Sequence, residues 1–563
     1  MNLKRLLCTL LSLLLILSAT LLAGCNSTPD NAPSENEEQA TTDYTLANIR
    51  NTIGSYTVIR AENVSPMIKN LIVELRTGID GVAGVKPDVA EDWVEEKKSD
   101  LEILIGQTNR PESAQAMKTL TSAKPYDIVQ VGTKICIVGL DDYALRRAVY
   151  QFLGVHMGAE LPEREHHNVL DFGAEGDGEH DDTDAFIAAI AAAKKDKLPV
   201  YVPAGTYKVE ETLTLEDVTL YGYHSGTFTS DTASLPTILH TNLAEPLFHV
   251  VGGSLSGLYV DVKGVTAKGE TEEGDPMVET VRLSKPGSRV SNLKIQNPYI
   301  GIATQFTSGP NPGRCFIENI FIIGAYNTGV FVHGTYDVAT LSNIEVWNPD
   351  LSRPCPTAYR FGKNDDLRAV NLFTFNSKVG FMFEETEVEG GKFEGCWGSF
   401  TNCSTDLCET GLKVGRGQHA LTVIGGTYWN HFYGLDVTSQ TSDLTRITMT
   451  GCELKTNGAS TVNVAGGQMV TVTGCNISRT QSDHKAIPVT IKGGTGVTLS
   501  GNTICANGTA AVEIASTFKG AATVTGNTVI TSQNSTDGVL SNKSQKGVVI
   551  FDSNAVLTSY KYK

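Results

Sequence analysis

A phrase that returns about every 25 residues constrains this chain more than any other feature. In one stretch it reads SNLKIQN, ENIFIIG, SNIEVWN and VNLFTFN, anchored on Asn292, Asn319, Asn343 and Asn371. Further on it becomes EGCWGS, GGTYWN, TGCELK, TGCNIS, SGNTIC and TGNTVI, with glycines at Gly395, Gly426, Gly451, Gly474, Gly501 and Gly526. A fixed period of this length marks a solenoid, and one coil of a three-sheet parallel β-helix needs about this many residues. Coils stack at about 4.8 Å, so whatever returns at one point of the coil becomes a ladder along the axis. Cys396, Thr427, Cys452, Cys475, Asn502 and Asn527, each following one of those glycines, read as an internal ladder. Stacked asparagine amides satisfy one another's donors and acceptors, and cysteine fills the same small slot apolarly.

Residues 43–160 have a different texture. Met67, Ile68, Leu71, Ile72 and Leu75 form a helical stripe, and Leu101–Gly106 is a strand. Ile128–Val131 and Lys134–Val138 flank Gly132-Thr133, a hairpin signal. Asp141–Leu153 is a helix with Leu145, Val149 and Phe152 on one face, so a small α/β domain precedes the solenoid. LEILIGQTNRPES and YDIVQVGTKICIVGLDDYALRRAVYQFL resemble the N-terminal accessory domain of α-glucuronidases. That resemblance implies a non-catalytic domain, in which Asp141, Asp142 and Arg146 are helix-start and surface residues.

The chain opens with Lys4 and Arg5, an apolar run from Leu6 to Leu22, and then Ala23-Gly24-Cys25, the order of a secretory signal over residues 1–24. The cysteine at its end resembles a bacterial lipobox, which implies lipidation of Cys25 and a membrane anchor outside the cytoplasm. Residues 25–42 are rich in Asn, Ser, Pro and Glu and read as a flexible tether. The formal net charge of −17 argues against nucleic acid as a partner. Cysteine spacing shows neither a disulfide framework nor a metal pair. No cofactor or metal is expected, and the acidic residues Asp177, Glu179, Asp181, Asp182 and Asp184 read as capping and loop solvation.

From Asn168 the string NVLDFGAEGDGEHDDTDAFIAAIAAAKKDKLPVYVPAGTYKVEETLTLEDVTLYGY closely resembles the opening of the pectate-lyase-like superfamily. Asp181-Asp182-Thr183 would cap a helix burying Phe186, Ile190 and Ala193. The resemblance implies a fold class that is mainly β, a right-handed parallel β-helix (single-stranded, three sheets) over residues 168–563, preceded by the small α/β domain. Polygalacturonases of that superfamily carry Asn-x-Asp, Asp-Asp, Gly-His-Gly and Arg-x-Lys in this order. Here only Asp365-Asp366 appears, and Val332-His333-Gly334 precedes it. The phrases between Gly257 and Phe383 are also similar to a rhamnogalacturonase-like bacterial branch, which implies a carbohydrate substrate.

Chemistry is expected in the lateral groove of the solenoid, because side chains one or two coils apart fall near the carboxylate separations that glycoside hydrolysis uses. The catalytic candidates are Asp337 with Asp365 or Asp366, and Asp261 as a third. Arg314 would recognise a carboxylated sugar through its planar fork. Tyr336, Trp347, Trp397, Trp429 and His431 would offer platforms or contacts to sugar rings, and Glu384 closes a nearby strand. Each has a plain alternative: Asp337 bonding its own turn, Asp365-Asp366 capping a bend, Glu384 solvating a strand end, the aromatics packing coil edges. The function expected is a surface glycoside hydrolase, with a polysaccharide lyase or a non-catalytic glycan-binding protein as rivals. Oligomeric state, monomer or trimer, stays open.

Overall fold

A computed structural model describes residues 43–121, 124–159, 165–224, 235–304, 311–388, 390–438, 444–479 and 486–561. The expected leader at 1–24, Cys25 and the expected tether to residue 42 lie outside the described residues.

The first folded unit is a five-stranded sheet: β1 (Thr57–Arg60), β2 (Val89–Glu91), β3 (Glu102–Ile105), β4 (Tyr126–Val131) and β5 (Lys134–Gly139). Its order is β2-β1-β3-β5-β4, parallel except for the β4–β5 hairpin. Gly132 turns that hairpin at a φ of 64°, a left-handed conformation that glycine adopts without a Cβ clash. Helix α1 (Pro66–Ala83) starts at Ser65, whose hydroxyl accepts from the Ile68 N–H, and buries Ile68, Leu71, Ile72, Leu75 and Ile79. Helix α2 (Pro111–Met117) follows β3, and α3 (Asp142–Gln151) begins at Asp141, whose carboxylate accepts from the Ala144 N–H at 2.7 Å.

Helix α4 (Thr183–Asp196) opens the second unit and buries Phe186, Ile190 and Ala193 in the core of the first coils. Of the expected Asp181-Asp182-Thr183, the first residue makes the cap. Asp181 accepts from the Thr183 N–H at 3.1 Å, whereas Asp182 turns away and accepts from the Glu175 N–H at 2.7 Å. Asp182 is fully buried, and burial pushes its pKa up to about 6.

Beyond it the chain winds into a right-handed parallel β-helix of three sheets. The first sheet runs coil by coil from Val200–Tyr201 to Val548–Asp552. The second runs from Gly205–Val209 to Ala555–Leu557, and the third from Leu213–Glu216 to Leu540–Asn542.

First and second sheets meet at a turn so tight that only one backbone conformation serves it. Asn292, Asn319, Asn343, Asn371 and Asn402 stand there at φ between 53° and 55°, followed by Gly425, Gly451, Gly474, Gly501 and Gly526 at 62–67°. The asparagine phrase and the glycine phrase are therefore one position of the coil, filled by the two residue types that tolerate the left-handed region best. Outside the turn, each asparagine amide donates to the one before it at 2.8–3.2 Å, from Asn402 back to Asn292. Where glycine takes over, the ladder moves one residue on and inside. Asn502 donates to Asn527 at 3.0 Å and Asn527 to Asn554 at 2.9 Å, with Cys452 and Cys475 buried on the rungs before. Two assignments need correction. Cys396 follows Gly395 at the opposite end of the first sheet, where its N–H donates to Gln418, and Cys403 holds the ladder slot instead. Thr427 is exposed and lies one residue past the slot, because Gly425, not Gly426, makes the turn.

Asn371→Ala should lose two ladder bonds, worth about 0.5–1.5 kcal/mol each, and force alanine into a region costing it roughly 1–2 kcal/mol. Asn371→Gly should lose only the bonds. Urea unfolding of both variants checks this, and equal destabilisation would contradict the backbone argument.

Candidate active site on the third sheet

From Asn292 onward the tight turn leaves room for variation only at the other two corners, whereas the connection from Thr219–Tyr221 to Pro236–His240 is longer. Between the second and third sheets lies the acidic excursion Lys263–Val278; between the third and first stands a small antiparallel hairpin, Thr386–Val388 with Lys392–Glu394. Both excursions border the third sheet, which makes its outward face the candidate floor of a groove.

Parallel register aligns one outward residue from each coil on that floor: His249, Arg282, Ala303, Phe331, Arg360, Met382, Lys413, Asp436 and Asn463. Three cations stand in this row of a chain whose formal charge is −17. The His333 ring stacks on Phe331 at 4.3 Å, and the Arg360 guanidinium lies 4.5 Å from the same Phe331 centroid. Arg360 Nε donates to Glu384 on the following coil. Burial, with Arg360 as a second cause, pushes the His333 pKa down to about 4, and its Nδ1 has no partner among the described residues. Upstream, Arg282 pairs with Glu279, and His249 Nε2 lies 2.6 Å from Ser284 Oγ.

Downstream, Asp436 Oδ1 accepts from Asn463 Nδ2 at 2.7 Å, and Asn463 Oδ1 accepts from Thr490 Oγ1 at 3.1 Å. These three residues belong to successive coils. Asp436 is 7% exposed, and burial raises its pKa against the opposing pull of Asn463 and Lys413. Its Oδ2 has no hydrogen-bond partner among the described residues.

The residues singled out from the sequence fall on three faces. At the corner between third and first sheets, Asp365 Oδ1 accepts from Lys363 Nζ at 2.6 Å and from Trp397 Nε1 at 3.0 Å. The same ammonium reaches Glu394 at 3.1 Å and lies 5.3 Å from the Tyr336 centroid. Tyr336, Asp365 and Trp397 thus meet around Lys363, an 8%-exposed side chain that the sequence reading passed over. Glu384 stands beside them at the end of the third-sheet strand.

Asp337 is bound by Arg314 of the preceding coil at 2.6 Å, a pair open to water, and Arg314 holds it below the usual carboxylate range. Asp366 is bound by Arg368 at 2.6 Å on the first sheet. Asp261 lies on the second sheet with Lys263 at 2.6 Å, a different face from Asp337 and Asp365. Trp347 is also on the second sheet, stacked on Phe321 and tilted against Phe375, each at 6.3 Å. Trp429 lies under Lys455 at 4.6 Å in the same sheet, and His431 follows where that strand bends toward the third.

Residues 166–382 match the model for rhamnogalacturonase A/epimerase, pectate lyase-like proteins, and residues 392–559 match the right-handed β-helix region. The first half of the β-helix thus matches a pectate-lyase-like model, and the second half a right-handed β-helix model. Among curated proteins, this chain is 59% identical to alginate lyase 7 of Azotobacter vinelandii over 44 residues, 8% of this chain and 5% of that one. It therefore spans only a small part of that relative's length. Among solved structures, the A-module of the mannuronan C-5 epimerase AlgE6 of Azotobacter vinelandii has a TM-score of 0.37 at 18% identity, over 70% of this chain and 98% of that one. The catalytic unit of the GH87 α-1,3-glucanase of Streptomyces thermodiastaticus has 0.39 at 15%, over 71% of each chain.

Proposed function

We propose that this pectate-lyase-like chain is a lipid-anchored, extracytoplasmic glycoside hydrolase that cleaves an anionic polysaccharide lying along the third sheet. The observation that carries the reading is the placement of two carboxyl groups on one floor. Asp436 and Glu384 lie two coils apart, because Met382 pairs with Lys413 and Lys413 with Asp436. Two coils rise about 10 Å and the two-residue step from Met382 to Glu384 adds about 6.6 Å at right angles, so the backbone positions lie about 12 Å apart, and both side chains must lean toward a bound sugar to reach the ~6.5–9.5 Å of an inverting enzyme. Asp436, protonated longer than an ordinary aspartate, is the proton donor to the leaving oxygen. Glu384 is the base that activates water from the opposite side of the ring. Arg282, Arg360 and Lys413 supply the positive row that an acidic glycan needs.

A second reading has its own observation. His333 carries no proton at neutral pH and stands beside Arg360, the arrangement a lyase would use to take a proton next to a carboxylate held by a guanidinium. Products separate the two. The chain from Asp43 onward, incubated with plant, microbial and host glycans, should release saturated fragments from an acidic polysaccharide. Unsaturated fragments absorbing in the ultraviolet would move the assignment to the lyase. Binding without any product would mark a glycan-binding surface protein.

A further inference from the structure

The accessory domain holds a concavity that nothing in the groove chemistry uses. It encloses about 910 Å³ between the short helix Ile49–Thr52, α1 and the end of α3. We propose that it is a binding site for a small sugar acid, independent of cleavage on the third sheet.

Its polar side is braced in advance. Arg146 donates through Nη2 and Nε to the Tyr150 hydroxyl at 3.0 and 3.3 Å, and that hydroxyl donates to Glu74 at 2.6 Å. The brace fixes the guanidinium plane and leaves its remaining N–H groups for a ligand. Across the opening, Arg50 lies over Gly158, where a Cβ would stand only 3.1 Å from its Nη1. Gly158 sits at a φ of 69°, so both the backbone and the neighbouring cation call for glycine. Arg50 has no carboxylate within ion-pair distance among the described residues, although the chain carries 62 acidic residues.

The wall between the two arginines is apolar. Val73, 58% exposed on α1, faces the opening, and Leu153 closes the floor beneath Gly78. A guanidinium fork matches a carboxylate in two parallel hydrogen bonds, an apolar patch suits the C–H face of a sugar ring, and Glu74 accepts from a hydroxyl. One ligand class presents all three groups within a single ring: a pyranose bearing a carboxylate. An inorganic anion would leave Val73 without a role.

Calorimetry with the full chain in detergent tests this, using sodium glucuronate as the probe and glucose as the neutral control. Glucuronate should bind and glucose should not. Arg50→Ala and Arg146→Ala should each weaken binding about tenfold or more, the loss expected for a hydrogen bond to a charged group. Arg50 is exposed on a short helix, so its replacement leaves the fold intact. Arg360→Ala, in the groove, should leave glucuronate affinity unchanged. Absence of binding, an Arg50→Ala variant that binds as well as the parent, or loss on Arg360→Ala would overturn the proposal.

Discussion

Asp436→Asn is expected to lower kcat/KM by about 10²–10⁴-fold, the usual contribution of a positioned proton donor. The substitution keeps the shape of the side chain, so it removes the proton without opening a void. The pH dependence gives the sharper readout. Burial raises the Asp436 pKa, so the acid stays protonated, and the enzyme active, to higher pH than an ordinary aspartate allows. Activity should fall as pH rises through that value, and this alkaline limb should vanish in Asp436→Asn. Glu384→Gln should act on the acidic limb instead, because a base is lost by protonation as pH falls. Variants that scale the profile without changing its shape would show that both carboxyl groups merely support the groove.

The second large effect concerns the packing beneath that floor. Phe361 is fully buried and meets Phe383 and Phe400 at 5.2 Å each, with Tyr359 at 6.5 Å. Tyr359 in turn donates to the carbonyls of Ile344 at 2.7 Å and Phe373 at 2.9 Å, tying the aromatic cluster to the second sheet. Phe361→Ala should cost about 3–5 kcal/mol, transfer and cavity together. Each coil of a solenoid is held mainly by its neighbours, so the loss should appear first as local opening around the coils that carry Arg360 and Glu384. Hydrogen exchange should rise there before the coils near Val512–Ile514 respond. Uniform acceleration along the whole β-helix would contradict nearest-neighbour stability.

How much of this was legible depended on whether a residue acts within its own coil or across coils. The hairpin at Gly132-Thr133 and the stripe of α1 are local, and both appear in the structure as the periodicity implies. The tight turn was seen twice under two spellings, asparagine and glycine, because letters differ where φ does not. The gathering of Tyr336, Asp365 and Trp397 involves residues already singled out, but its centre, Lys363, and its second carboxylate, Glu394, were hidden by the hairpin between them. Asp436, Asn463 and Thr490 recur at 27-residue steps, yet that spacing means contact only after the coil register is known. His333 was judged against the order of a polygalacturonase recipe, which says nothing of where its strand faces.

The strictness of the first-to-second turn has a consequence for how such a groove can change its chemistry. With one corner fixed, the floor becomes a grid, about 4.8 Å from coil to coil and about 6.6 Å between alternate residues of a strand. Distances between reactive groups then come in steps, not as a continuum. A carboxylate at position 415, the residue after the Phe383–Val414 pair, would stand one coil from Glu384 without an offset along the strand, nearer the ~5–5.5 Å that retaining hydrolysis needs. On such a lattice, the stereochemistry of the product is one rung away from its opposite.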